Sequence, residues 1–434
     1  MSLTWSERVI EAAALFLLVF TPLAFGTTEP WSEAVAELVV LGMVIVYVVS
    51  TVRNWEIRVE LPPGWLPAAL FLGLATLQLI AGWSADAHET RRYLLRLAVV
   101  AAFFLVCYNT YRTREQVRRA IWTMAAMGAL IAVFGIVQRT AGNGRLYWVG
   151  PHIEYGAPFG PYVNRAHFAG LMVVVVPVAL VFVLTGQRAL RRRQLVRTWR
   201  DRLRDWNSSD SGPRALVPML ILIMGGAALV SGSRGGMVAL LVALSAMGIG
   251  VLAGRASWSS RAGRVALVLL LIVLAGAWVG GDILYGTAER LAGELGRPQE
   301  SVRVALWANA LHLWRDAPLL GTGLGTFGVA FPRFRTIAGP RVFSHAESDW
   351  VQLLTDTGVL GVALALAAAV SFAIALRRGY RGTESRWQAA LALAGLVALA
   401  GTLVQAVGNF SLAVMSNLIY LALALALALQ AERA

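Results

Sequence analysis

FSHAESDW, residues 343–350, runs directly into VQLLTDTGVLGVALALAAAVSFAIALR, residues 351–377. A polar stretch carrying a histidine and two carboxylates stops, and an apolar run begins that is long enough for an α-helix to cross hydrocarbon, which takes about 20 residues. The same alternation recurs along the chain. Apolar segments near 9–25, 34–52, 65–81, 92–108, 119–137, 167–185, 215–231, 236–253, 264–281, 350–377, 387–408 and 410–430 predict about twelve transmembrane helices. The fold class expected is an all-α integral membrane protein, with residues 1–434 forming one polytopic domain. The last two segments, parted only by Gly408 and Asn409, read as a tight hairpin. The fourth is the weakest, being short and interrupted by Arg96.

Composition supports this reading. Of the 434 residues, 58% are hydrophobic and only 14% charged, far from the balance of a soluble domain of this size. The alternating pattern of a membrane β-barrel is absent. The single cysteine, Cys107, excludes an intrachain disulfide. Segment 9–25 leads into Gly26-Thr-Thr-Glu-Pro-Trp31 rather than a small-residue cleavage site, so it reads as a first span and not a removed signal.

The net charge is +14, and arginine supplies all of the basic residues counted. With the N-terminus inside, these arginines concentrate in loops on one face: Arg112–Arg119, the run from Arg188 to Arg204, Arg255–Arg264 and Arg377–Arg386. The positive-inside rule makes that face cytoplasmic and both termini with it. The basic loop 186–214 is then a topology signal and a contact for anionic membrane lipids, and nucleic acid is not expected as a partner. The opposite face carries the Gly-, Pro- and aromatic-rich loop 138–166, the turn 231–236 and the long loop 282–349.

Chemistry-bearing residues gather on that outer face. Arg234 lies in Ser231-Gly-Ser-Arg-Gly-Gly236 between two apolar runs. An arginine this close to hydrocarbon must face water or an anion, so it either snorkels to headgroups or offers a fork to a phosphate. Arg303 stands on a helix expected over 298–316, with Trp307, Leu311 and Trp314 on the same stripe, as in a helix lying along an interface. Gly321-Thr-Gly-Leu-Gly-Thr-Phe327 follows. With no strand before it, it reads as a helix-ending turn and not a nucleotide loop. His345 stands at the junction of loop and span, either as a general base or as a solvated interfacial side chain. Glu347 or Asp349 is a candidate to orient it, with Asp349 better suited to capping the next helix. No Asp-x-Asp, His-Glu-x-x-His or Walker-type motif occurs, so neither a metal nor another cofactor is expected.

Taken in order, Ser231–Gly236, the Arg303–Trp307 helix with Pro318–Phe327 after it, and His345-Ala-Glu-Ser-Asp-Trp-Val-Gln-Leu-Leu354 with Gly358 resemble the O-antigen ligase family. Asn164-Arg165-Ala-His167-Phe-Ala-Gly170 also resembles its outer-loop motif. The resemblance implies a GT-C-like fold whose large periplasmic loop, 282–349, carries interfacial helices and the site. The implied activity is metal-independent, inverting transfer of a glycan from undecaprenyl diphosphate to a sugar hydroxyl of lipid A–core, at the periplasmic face of the bacterial inner membrane. The family's pyrophosphate-binding arginines fall on Arg234 and Arg303 and its essential histidine on His345. Asn164, Arg165, His167, Trp307 and Glu347 are candidate donor or acceptor contacts. Many relatives carry a second histidine or an asparagine after the first. This chain has Glu347 and Ser348 there, which leaves an O-antigen or exopolysaccharide polymerase, and a protein O-oligosaccharyltransferase, as alternatives. A lipid-linked sugar transporter is a further rival, disfavoured by the lack of an internal repeat.

Overall fold

The computed structural model describes residues 3–53, 59–143, 145–148, 158–185, 212–253, 302–340 and 342–430. Twelve helices organise them: α1 Trp5–Leu23, α2 Pro30–Arg53, α3 Trp65–Ile80, α4 Ala87–Thr110, α5 Arg114–Ala141, α6 Arg165–Thr185, α7 Gly212–Val230, α8 Arg234–Ala253, α9 Val302–Asp316, α10 Asp349–Gly382, α11 Arg386–Gly408 and α12 Met415–Leu429, beside a few single turns. No strand occurs among the described residues. Among the described residues, seven helices are long and apolar enough to cross a membrane: α2, α4, α5, α6, α8, α10 and α11. The protein is therefore an all-α, multi-pass membrane protein. Each expected segment coincides with a helix except 264–281, which lies outside the described residues, as do most of the basic loop 186–214 and the stretch 282–301.

Helix α6 is the centre of the bundle. It is apolar nearly all round and buried on almost every side, as expected of a helix enclosed by other helices. It packs against α11, α7, α8, α5 and α12. The outer helices keep their apolar side chains exposed, as in α2 with Leu38, Leu41, Ile45 and Val49, the surface a lipid-facing helix presents.

Two expectations about span ends are corrected. The fourth span starts at Ala87, where Asp86 caps it by accepting from the backbone N–H groups of His88 and Glu89, so Arg96 is well inside the helix and buried. The last hairpin is not a two-residue turn. Helix α12 begins only at Met415, and a linker over 409–414, including a 3-10 turn at Ser411–Ala413, joins it to α11.

Helix α10 is broken at Gly358, whose φ of 64° and ψ of −169° belong to a region that essentially only glycine occupies. The break exposes backbone groups that hydrocarbon cannot satisfy, and the turn after α9 satisfies them. Thr322 and Gly323 donate to the carbonyls of Thr355 and Asp356 at 3.0 and 2.9 Å, while Val359 donates to Pro318 O at 2.9 Å. Gln78 of α3 closes the joint, donating to Leu320 O and Asp356 O and accepting from Leu324 N. A Cβ at Gly321 would come within 2.3 Å of the Asp356 backbone. The glycine-rich turn is thus a docking piece for a broken membrane helix, more than the helix stop expected from its sequence.

Candidate functional site

His345 lies on the turn between Phe343 and the start of α10. Ser348, not Asp349, caps that helix, accepting from Val351 N at 3.3 Å. Asp349 instead ties the helix start to the linker: its backbone N–H donates to Asn409 O at 2.9 Å, and its carboxylate accepts from Leu412 N at 3.1 Å.

The partner that orients His345 is Gln352, and neither Glu347 nor Asp349. Its Oε1 lies 3.0 Å from His345 Nδ1 and also accepts the backbone N–H of Ala346 at 3.4 Å. The amide N–H can only donate, so the atom it meets is the glutamine oxygen. Nδ1 must then carry the proton, and Nε2 keeps its lone pair. The Gln352 amide faces Asp356 one helical turn on, whose Oδ2 accepts from Gly325 N at 2.9 Å. Burial pushes the His345 pKa below the usual imidazole value; the Gln352 hydrogen bond opposes this, and the Arg96 and Arg92 charges add to the lowering. At neutral pH the ring is an uncharged base.

The His345 ring stacks on Phe410 of the linker at 4.5 Å, and His167 of α6 meets Phe410 edge-on at 4.8 Å. Both histidines line a cavity of about 340 Å³ together with Glu33, Arg92, Arg96 and Phe410. Glu33 is ion-paired to Arg96 and lies 3.3 Å from Arg92. Arg96 also donates to Ala413 O at 2.8 Å, so the linker is clipped from a second side.

Arg234 opens α8 and Arg165 opens α6. Ser233 and Asn164 cap the two helices, accepting from Gly236 N and Ala166 N. The helix starts press together: a Cβ at Gly236 would lie 2.2 Å from Ala169 Cβ, and one at Gly232 would lie 3.3 Å from Arg165 Nη1. Arg165 feels the charges of both Arg234 and Arg139. Two helix N-termini and these guanidiniums make the region suited to an anion. Gly235 abuts Asn409, where a Cβ would meet Nδ2 at 2.2 Å. The Arg234 turn therefore backs directly onto the linker that presents Phe410 to His345.

The other expected residues are placed as follows. Arg303 meets Glu347 at 3.5 Å, both partly exposed. Glu347 holds a left-handed φ of 55°, and Trp307 Nε1 donates to Ala346 O at 2.9 Å. Helix α9 thus braces the histidine turn through Arg303 and Trp307, with Leu306, Ala310 and Leu313 packed beneath. Asn164 acts as a helix cap. Reading the sequence missed Gln352, Glu33, Arg92 and Phe410, and treated Arg96 only as a blemish in a span. The signal for Arg96 and Glu33 was available: an ionisable side chain in an apolar run demands a buried partner.

These features define a helical, multi-pass membrane protein with a half-buried neutral histidine beside a polar cavity and an arginine-rich helix-terminus cluster. Residues 219–366 match the family model described as O-antigen ligase, so this part of the chain is similar to that family. The matched region contains Arg234, Arg303, His345, Gln352 and Gly358, while Glu33, Arg96, His167 and Phe410 lie outside it. No curated protein matched the chain in a sequence search.

Proposed function

We propose that this protein transfers a glycan from undecaprenyl diphosphate to a sugar hydroxyl of lipid A–core, with inversion and without a metal ion. The observation that carries the reading is the Gln352 oxygen shared by His345 Nδ1–H and Ala346 N–H, which leaves Nε2 as a base beside a cavity. The acceptor oxygen attacks the anomeric carbon while Nε2 takes its proton. The bond from that carbon to the diphosphate oxygen breaks, and undecaprenyl diphosphate leaves with the electron pair. The imidazolium then returns its proton to solvent. Arg234 and Arg165, at two helix N-termini, hold the negative charge that grows on the leaving diphosphate, the place where fixed donors help most. Arg303 supports the same reaction through its hold on the Glu347 turn. The polyprenyl tail stays in lipid, which is why such a site belongs at the end of membrane helices. The family match supports lipid-linked glycan chemistry of the ligase or polymerase type.

The test is reconstitution with chelator present. Purified protein, undecaprenyl-diphosphate-linked repeat units and lipid A–core are mixed and the products sized. One glycan added to lipid A–core is the expected result. A ladder on the carrier would make the protein a polymerase, and no transfer to either acceptor would overturn the proposal. In the same assay Arg234→Lys should weaken binding of undecaprenyl diphosphate by about ten- to a hundredfold, because lysine keeps the charge but loses the planar fork, and charge-assisted hydrogen bonds carry about 1.5–3 kcal/mol. Unchanged affinity in that variant would remove Arg234 from the diphosphate site.

A further inference from the structure

The cavity beside His345 differs electrically from the arginine cluster behind the linker. Its two guanidiniums are matched by two carboxylates: Arg96 with Glu33, and Arg92 with Glu33 at 3.3 Å and Glu89 at 3.9 Å. A phosphate gains no net attraction in such a lining. A sugar does well there, since each hydroxyl both donates and accepts, and the lining offers both roles. The volume of about 340 Å³ falls in the range of small-ligand sites, roughly 300–1,000 Å³.

His167 is the second, independent observation. It is 6% exposed, lines the cavity, and among the described residues neither of its ring nitrogens has a hydrogen-bond partner. A buried imidazole carries polar atoms that native structures rarely leave unmet. Its ring rests on the same Phe410 that stacks with His345, so a ligand reaching one histidine passes the other.

We propose that this cavity is the acceptor subsite and takes an uncharged terminal sugar, with His167 hydrogen-bonding one hydroxyl while a neighbouring hydroxyl faces Nε2 of His345. The subsite rests on the reading of His345 as the base, but its occupancy is testable without turnover. Replacing His167 by phenylalanine keeps the ring and removes both nitrogens. Because those nitrogens have no partner among the described residues, the change should leave the unfolding temperature unchanged or raise it, so a purely structural role predicts no change in binding.

Saturation-transfer NMR would use methyl hexosides and lactose as neutral probes and pyrophosphate as competitor. Wild-type protein should bind the sugars, pyrophosphate should not displace them, and His167→Phe should weaken them about 3–10-fold, the worth of one neutral hydrogen bond. No sugar signal, displacement by pyrophosphate, or unchanged affinity in the folded variant would each overturn the subsite. The pyrophosphate arm needs no variant, so a His167→Phe protein that fails to fold still leaves a deciding result. Sugar binding lost in the variant, with no transfer from undecaprenyl diphosphate by wild type, would keep the subsite and remove the transferase reading. Transfer with an unchanged acceptor KM in His167→Phe would do the reverse.

Discussion

Replacing His345 by alanine should lower the transfer rate by about 10²–10⁴-fold, the usual contribution of a positioned general base, while undecaprenyl diphosphate still binds. The separation follows from the geometry, because the imidazole stacks on Phe410 and hydrogen-bonds Gln352, whereas the arginines proposed to hold the diphosphate begin the separate helices α6 and α8. The pH profile should carry the same signature. The base works only when neutral, so the rate rises with pH through the pKa of His345 and then levels off. Burial and the Arg96 and Arg92 charges move that pKa below 6.5, so the midpoint of the rise should lie on the acid side of pH 6.5. A rise centred at or above pH 6.5 would contradict the half-buried, neutral histidine. Wild-type rates from His345→Ala would remove the base altogether.

Some of this was legible in the sequence and some was not, for identifiable reasons. Arg234, Arg303 and His345 were visible because charged or titratable side chains beside apolar runs are costly and few. Span positions were visible because hydrocarbon thickness fixes helix length. The partner of His345 was not visible. Gln352 sits seven residues on, and a glutamine on a helix looks like any other polar residue until the fold turns it toward the ring. Phe410 was hidden by reading 408–409 as a minimal hairpin, since Phe410, Leu412, Ala413 and Val414 leave the linker nearly as apolar as the helix that follows. The pairing of Glu33 with Arg96 spans 63 residues, a distance no local pattern encodes. The glycine turn was read as a helix stop because its docking site, the break at Gly358, lies on another helix.

The second large effect falls on that pair. Glu33→Gln should destabilise the protein by about 3–5 kcal/mol, the cost of leaving a buried charge without its partner, measured by unfolding in detergent. Both side chains are nearly inaccessible, at 5% exposure each, so added salt should change this loss little. The Arg303–Glu347 contact is half open, and an exposed pair of this kind contributes little to stability. A second variant separates stability from geometry. Replacing Glu33 by leucine together with Arg96 by methionine removes both charges at similar volume, a change that is often neutral for a buried pair, so most of the lost stability should return. Transfer should not return with it. Arg96 also holds Ala413 O at 2.8 Å, and the linker it clips is the one that presents Phe410 to both histidines. A double variant that is stable but slow would show that the pair positions the linker. One that is both stable and fully active would reduce it to a filler of the helix interface, and with it the case that α2 and α4 take part in the site.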